Sequence, residues 1–309
     1  MNPPAYVGFG MLTPVAILVV DELPDRNTGS LIREISEFVF DDAAIVACLL
    51  RQWGVTSAII GTAVGNDPRG RALAKQLREW DVQGDVRLSE DIRTPLEVDI
   101  SDLTGARTYF WKRDAHVLAT LADADLSLLK GASILYVDWY DGDYIIRAME
   151  EAARLHIPVF LNFEHAHADA ALLARYAGRA NICQAVTNAA QIEGHDPMEV
   201  AEKLTGAGVE TALITLAGEG SLVLNKNEVI RIHAPQISVV DGCGAGATYS
   251  AGFIYGWLQG WSLEQSVRFA TAAASLKVTR AGLTMWPVEE IQKSAASLRV
   301  ETSMASRAK

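Results

Sequence analysis

Cysteine is scarce: Cys48, Cys183 and Cys243 are the only three in 309 residues, widely spaced and without a CxxC pair. That pattern excludes a disulfide-stapled scaffold and a zinc ribbon, and reads as free thiols in a reducing cytosol. Cys243 lies in a glycine-rich turn, where it is either a reactive thiol or a small residue that fits the bend. A basic excess is also missing. Lys and Arg number 27 against 38 Asp and Glu, a formal charge of -11. This argues against nucleic acid or an anionic membrane as a general partner, although a local nest of amides still binds a small anion in an acidic protein. No apolar run reaches the roughly 20 residues a membrane helix needs. The N-terminal VGFGMLTPVAILVV is interrupted by Gly and Pro and has no basic leader, so it reads as buried strand in a soluble, cytoplasmic protein. Internal repeats, low-complexity tracts and linkers are absent.

Half of the residues are hydrophobic and 21% are charged, an ordinary globular composition. Short apolar runs bounded by turn residues (AYVGFG, TSAIIG, ASILYVDW, IPVFLNFE, ICQAVTN, TALITLAG, GSLVLN) alternate with helical patterns such as DDAAIVACLLRQWG, GRALAKQLREW and PMEVAEKLTGAG. This alternation predicts an α/β fold whose mostly parallel sheet is covered on both faces. Two segments break the rhythm, one around 15–40 and one around 94–113. Both show the period-2 pattern of antiparallel strands and suggest a small sheet lying over the edge of a single domain spanning 1–309, as a lid or a dimer clasp.

One stretch carries most of the chemistry. SVVDGCGAGATYSAGFIYGW, Ser238–Trp257, runs from an apolar strand through glycines into a helix of small and aromatic residues. Glycines let the backbone turn and approach a ligand closely. The first N–H groups of the helix and the positive end of its dipole then favour an anion. The amides of Gly244, Ala245 and Gly246 are the candidate anion hole.

DGCGAGATYSAGFIYGW followed by SLEQSVRFATAAASLKVTRAG resembles the second signature of the PfkB-type carbohydrate kinases, the ribokinase-like family. LLRQWGVTSAIIGTAVGNDPRGRALAKQLREWDV, ARTYFWKRDA, AVTNAAQIEG and ALITLAGEGSLV are similar to further family segments, in the family's order and spacing. The resemblance implies a three-layer α/β fold with a β lid, magnesium ATP along the sheet's C-terminal edge, a sugar or polyol beneath the lid, and a homodimer formed through the lid. It leaves room for a monovalent cation. By the same resemblance Thr215, Gly218 and Gly220 line the nucleotide phosphates, and Asp241 and Gly242 belong to the cofactor-binding turn. Ala273, Lys277 and Gly282 border the adenine, and Asn188 with Gln191 organises magnesium through water. VDWYDGDY is similar to a loop of ketohexokinase-like members.

The chain departs from the family pattern where the chemistry is concentrated. After Gly-Ala-Gly the family carries an Asp that takes the proton of the attacking hydroxyl; here stands Ala247. The N-x-x-E segment ends in Gln191, which removes a charge from the magnesium environment. The family's Gly-Gly and Asn fall near Phe40, Asp41 and Ile45, its sugar-gripping Asp near Thr13 or Pro14, and the first glycine of T-x-G-x-x-G becomes Ala217. Two readings follow, a kinase without its usual base and a pseudokinase that binds nucleotide or metabolite as a sensor or scaffold. Asp241 reads as a residue that fixes the turn rather than as a replacement base.

Other constellations weigh less. Glu164, His165, His167 and Asp169 read as a polar loop rimming the cleft rather than a zinc site. Asp138 and Asp141 either grip substrate hydroxyls or belong, with Asp143, to a helix cap. GFGMLT, Gly8–Thr13, is followed by strand instead of helix and so is no dinucleotide fingerprint. Lys112 and Arg113 read as the solvated end of a lid strand.

Overall fold

The computed structural model describes residues 3–103, 106–112, 114–187, 194–226 and 228–305, with the side chain of Phe40 left aside. The first half of the chain forms β1 (Tyr6–Gly10), β2 (Thr13–Val20), β3 (Ile32–Phe40), α1 (Asp42–Gln52), β4 (Ser57–Gly61), β5 (Val64–Gly65), α2 (Pro68–Glu79), β6 (Leu88–Ser89), β7 (Leu96–Ser101), β8 (Arg107–Lys112), α3 (Ala115–Ala119), β9 (Ile134–Asp138) and α4 (Tyr144–Arg154). The second half forms β10 (Val159–Glu164), α5 (Ala170–Tyr176), β11 (Ile182–Val186), α6 (Pro197–Gly206), β12 (Thr211–Thr215), β13 (Ser221–Asn225), β14 (Glu228–Ile232), α7 (Ala245–Leu258), α8 (Leu263–Lys277), α9 (Val288–Ala296) and β15 (Val300–Met304).

The large sheet runs β15-β14-β13-β12-β11-β10-β9-β1-β4. From β4 to β12 every pairing is parallel, and β13, β14 and β15 add an antiparallel edge. Alternate residues feed two cores. Tyr6, Tyr136, Phe160 and Leu213 face α1, α7 and α8 on one side. Val7, Val137, Leu161 and Ile214 face α4 and α6 on the other. Burial on both faces explains why these strands read as continuous apolar runs rather than alternating ones. Helix starts are marked locally: Asp67 accepts the Gly70 amide at 3.0 Å ahead of α2, and Ser262 with Gln265 forms a capping box on α8.

The smaller sheet, β3-β2-β7-β8, is built by both segments that broke the strand–helix rhythm. Each supplies a pair that contains antiparallel neighbours, but the two are joined by a parallel β2–β7 ladder. This corrects the expectation of purely antiparallel excursions. The sheet lies against the C-terminal ends of the parallel strands: Ser101 of β7 hydrogen-bonds Asp241, and a Cβ on Gly282 would meet Ser36 Oγ of β3 at 2.1 Å. No described helix is long and apolar enough to cross a membrane.

Candidate functional site

The glycine turn sits at that C-terminal edge, anchored by one carboxylate. Asp241 Oδ1 accepts from the Cys243 amide at 2.9 Å and from Ser101 Oγ at 2.7 Å. Its Oδ2 accepts from the Gly282 amide at 3.0 Å and from Lys277 Nζ at 2.7 Å. Lys277 Nζ also donates to the Asp241 carbonyl at 2.9 Å, and both residues are fully buried at 0% exposure. Lys277, expected along the adenine, is therefore an internal pin whose ammonium is committed to Asp241. Ala273, one turn earlier in α8, is also buried.

Gly244 takes φ +72°, a left-handed conformation that lets the chain enter α7 without Cβ strain. Ala245 follows half-buried, and Gly246 is exposed, so the first turn of α7 meets solvent at Gly246. A Cβ at Gly246 would find only Gln184 Nε2, at 3.6 Å. The turn is thus an open cradle with the chemistry that suits a phosphate. Gly242 contributes its carbonyl to the Ala245 amide at 3.3 Å. Ala247, by contrast, is 1% exposed and packs into the core. Its methyl offers no proton acceptor.

Along the neighbouring edge, Thr215 closes β12 with its hydroxyl on the Ala185 carbonyl at 3.3 Å, and Gly218 is exposed in the following turn. Gly220 is buried at φ +102°. Ala217 holds φ +48°, the conformation a glycine would tolerate more cheaply. Asn188 and Gln191 lie outside the described residues.

Opposite the cradle, α1 begins with two buried acids. Asp41 Oδ1 accepts from the Tyr140 hydroxyl at 2.7 Å and caps α1 through the Asp42 amide at 3.3 Å. Asp42 Oδ2 accepts from Asn162 Nδ2 at 3.0 Å. Ile45, one turn on, brings its Cδ1 to 3.4 Å from where a Gly244 Cβ would stand, so α1 and the cradle are in contact. Asp138 ends β9 fully buried, taking the Tyr136 hydroxyl at 3.2 Å, and Asp141 Oδ2 accepts from the Met11 amide at 3.3 Å. Thr13 is buried at the start of β2. Burial, then like charge from Glu164 and Asp41, raises the Asp42 carboxyl well above the usual range. Burial, then Asp42, Asp41 and Asp141, does the same to Asp138.

Several alternatives are settled by partners. Neither Asp141 nor Asp143 caps α4 with its side chain; Asp143 pairs with Arg175 and Tyr176. Asp169 caps α5 through the Ala171 and Leu172 amides, and His167 is buried with Nε2 on the Val186 carbonyl at 2.8 Å. Burial pushes the Cys243 thiol well up, which opposes thiolate reactivity. Sequence reasoning missed Asp42, Asn162, Glu97, Asp99 and Arg107. Asp42 adjoins Asp41, and the two β7 acids alternate in LEVDIS, so the signal was a strand with acids on one face.

A family model described as pfkB family carbohydrate kinase matches residues 26–290. The chain belongs to the PfkB family of carbohydrate kinases. It is by that membership an enzyme. Relatives include a nucleoside kinase of Methanothermobacter thermautotrophicus, 26% identical over 280 residues and covering 86% of each chain. A 1-phosphofructokinase of Vibrio cholerae is 32% identical over 96 residues, a match that spans 31% of this chain and 30% of that protein. Among solved structures, a ribokinase from Thermotoga maritima superposes with a TM-score of 0.77 at 20% identity, over 95% of this chain and 100% of that one. That likeness establishes the ribokinase-like fold.

Proposed function

We infer that this PfkB chain is an ATP-dependent phosphotransferase acting on a hydroxyl of a sugar or sugar-like alcohol. The observation that carries the reading is the first turn of α7, exposed at Gly246, opened by left-handed Gly244 and fixed by Asp241, with α1 and its acids Asp41 and Asp42 packed against it through Ile45. Bound ATP supplies the transferable phosphoryl group. The amides of Gly244, Ala245 and Gly246 hold its developing negative charge, and Gly218 and Gly220 shape the neighbouring turn. Asp41, Asp138 and Asp141 orient the acceptor from the other side. Phosphoryl transfer depends chiefly on positioning and charge stabilisation, so the machinery outside the base retains value without it. The smaller sheet acts as a lid within one α/β domain. Its exposed Ile35, Phe110 and Trp111 support pairing with a second copy.

Ala247 favours a second reading, a pseudokinase that binds nucleotide without turnover. A general base contributes roughly 10²–10⁴ in rate, so the two readings separate on restoration. ADP release with magnesium ATP across a panel of sugars and polyols is measured for the wild type and for Ala247→Asp. The kinase reading expects a gain of that order in the variant. A folded variant that binds an ATP analogue calorimetrically yet phosphorylates nothing overturns it in favour of the second.

A further inference from the structure

The outer side of the smaller sheet carries a second concave site. In the β7–β8 ladder Leu96 pairs with Lys112 and Val98 with Phe110, and these four lie on the face opposite Ser101, which reaches Asp241. With the start of α2 and the loop ahead of β7 they enclose a cavity of about 410 Å³. Arg69 of α2, Arg93 of the loop and Lys112 of β8 bring three cations to it. Leu96 and Val98, with the exposed rings of Phe110 and Trp111, give it an apolar and aromatic wall.

Three cations lining one hollow stand out in a chain whose formal charge is -11. Among the described residues none of the three forms an ion pair. The carboxylate in the lining is already committed. Asp67 Oδ1 accepts from the Gly70 amide at 3.0 Å and the Thr94 hydroxyl at 2.8 Å, and its Oδ2 accepts from the Thr94 amide at 3.0 Å. Arg69 also stands in the first turn of α2, where the helix dipole disfavours a cation. A cation kept there without a partner in the chain suits an anion from outside. The cavity is larger than a bare anion needs and lies within the roughly 300–1,000 Å³ of small-molecule sites. A carboxylate brings one charge to three cations. A phosphate monoester brings close to two at neutral pH, and arginine forks grip its oxygens in pairs. The aromatic wall then takes the flat face of whatever ring carries the phosphate.

We propose that this outer cavity binds a phosphate monoester borne on a ring, a sugar phosphate or a nucleoside monophosphate. Arg69, Arg93 and Lys112 receive the phosphate, and Phe110 and Trp111 receive the ring. None of these residues belongs to the glycine cradle or to the acids of the cleft, so the site goes beyond the kinase reading and does not depend on it. A ligand held there bridges α2 and the smaller sheet.

The test is calorimetry at pH 7 in low salt, with magnesium and a non-hydrolysable ATP analogue in excess. The probes are glucose 6-phosphate with glucose, AMP with adenosine, and inorganic phosphate. At least one ester should bind once per chain, about tenfold tighter than its dephosphorylated partner and than inorganic phosphate. Arg69 and Arg93 are exposed, so the double variant Arg69→Gln with Arg93→Gln keeps the fold. It should weaken that ester about tenfold or more. Phe110→Ala should weaken the ester and leave inorganic phosphate unchanged. Which ester responds separates the sugar source from the nucleoside source. The proposal is overturned if no ester binds at millimolar concentration, or if inorganic phosphate binds as tightly as the esters. An ester held equally by the double variant sits elsewhere, in the cleft, and overturns it too. So does a dimer that the double variant dissociates while no ester binds, because the cations are then a contact between copies. An analogue that fails to bind counts against the kinase reading alone.

Discussion

Replacing Lys277 by Met removes a buried cation while keeping most of its aliphatic stem. The ammonium donates to the Asp241 carbonyl and carboxylate at 2.9 and 2.7 Å, and neither residue is exposed. Breaking a buried ion pair by removing one partner costs about 3–5 kcal/mol, because the other charge is left without its counter-ion. In Lys277→Met the carboxylate keeps Ser101, Cys243 and Gly282 as donors. The loss should therefore lie near the lower end, about 3 kcal/mol. Asp241→Ala strips those same three donors of their acceptor and strands the ammonium, so it should cost more, about 5 kcal/mol or above. Urea unfolding at pH 7, compared at equal slope, reads both values. The pair Asp241→Asn with Lys277→Met should be less destabilising than the sum of its members, since neither charge remains. A Lys277→Met variant within 1 kcal/mol of wild type would show that backbone and hydroxyl dipoles alone hold Asp241, and the account of the cradle's anchor would be wrong.

Ala217→Gly releases a residue from φ +48° and should stabilise the chain by about 1 kcal/mol in urea; a loss instead would mean that the turn is not strained. Cys48, Cys183 and Cys243 are all buried, with the Cys48 thiol pushed up to about 12, so none should react with a thiol reagent in the native protein and all three should on unfolding. Rapid native labelling at Cys243 contradicts that. Asp42 and Asp138 have folded carboxyls raised above their unfolded values by burial and neighbouring carboxylates. Between about pH 4 and those folded values the native state holds the extra protons, so stability falls as pH rises through that window. The melting temperature without ligand should be higher at pH 5.5 than at pH 7.5, with a shallower slope in Asp42→Asn; a rise toward pH 7.5 refutes the shared-charge description. Sedimentation should show a dimer that Trp111→Asp, at a side chain 54% exposed, dissociates; a monomeric wild type removes that assignment.

The parallel half of the sheet was legible because strands buried on both faces leave continuous apolar runs such as ILYVD and VFLNFE. The far edge was not. β14 and β15 are short and partly exposed, and only the antiparallel pairing of β14 on β13 and of β15 on β14 makes them strands. The glycine turn could be read from composition, since Gly244 needs its left-handed φ. The fate of Lys277 could not. A lysine near the end of a helix usually reaches solvent, and only the fold places Asp241, 36 residues earlier, against its ammonium. Asp42 beside Asp41 was visible in the sequence, but its coupling to Glu97 and Glu164 depends on three distant elements meeting.

Ser101 hydrogen-bonds the carboxylate that anchors the glycine turn, and Ser36 packs against the loop at Gly282. Lifting β7 forfeits a hydrogen bond to the carboxylate that sets the turn's shape, and shifting β3 unseats the loop at Gly282. If the smaller sheet is the lid proposed above, it therefore does not open as a free flap. On the proposed kinase reading, letting the acceptor in or the product out would loosen the grip on the nucleotide in the same movement, tying the exchange of one ligand to the hold on the other.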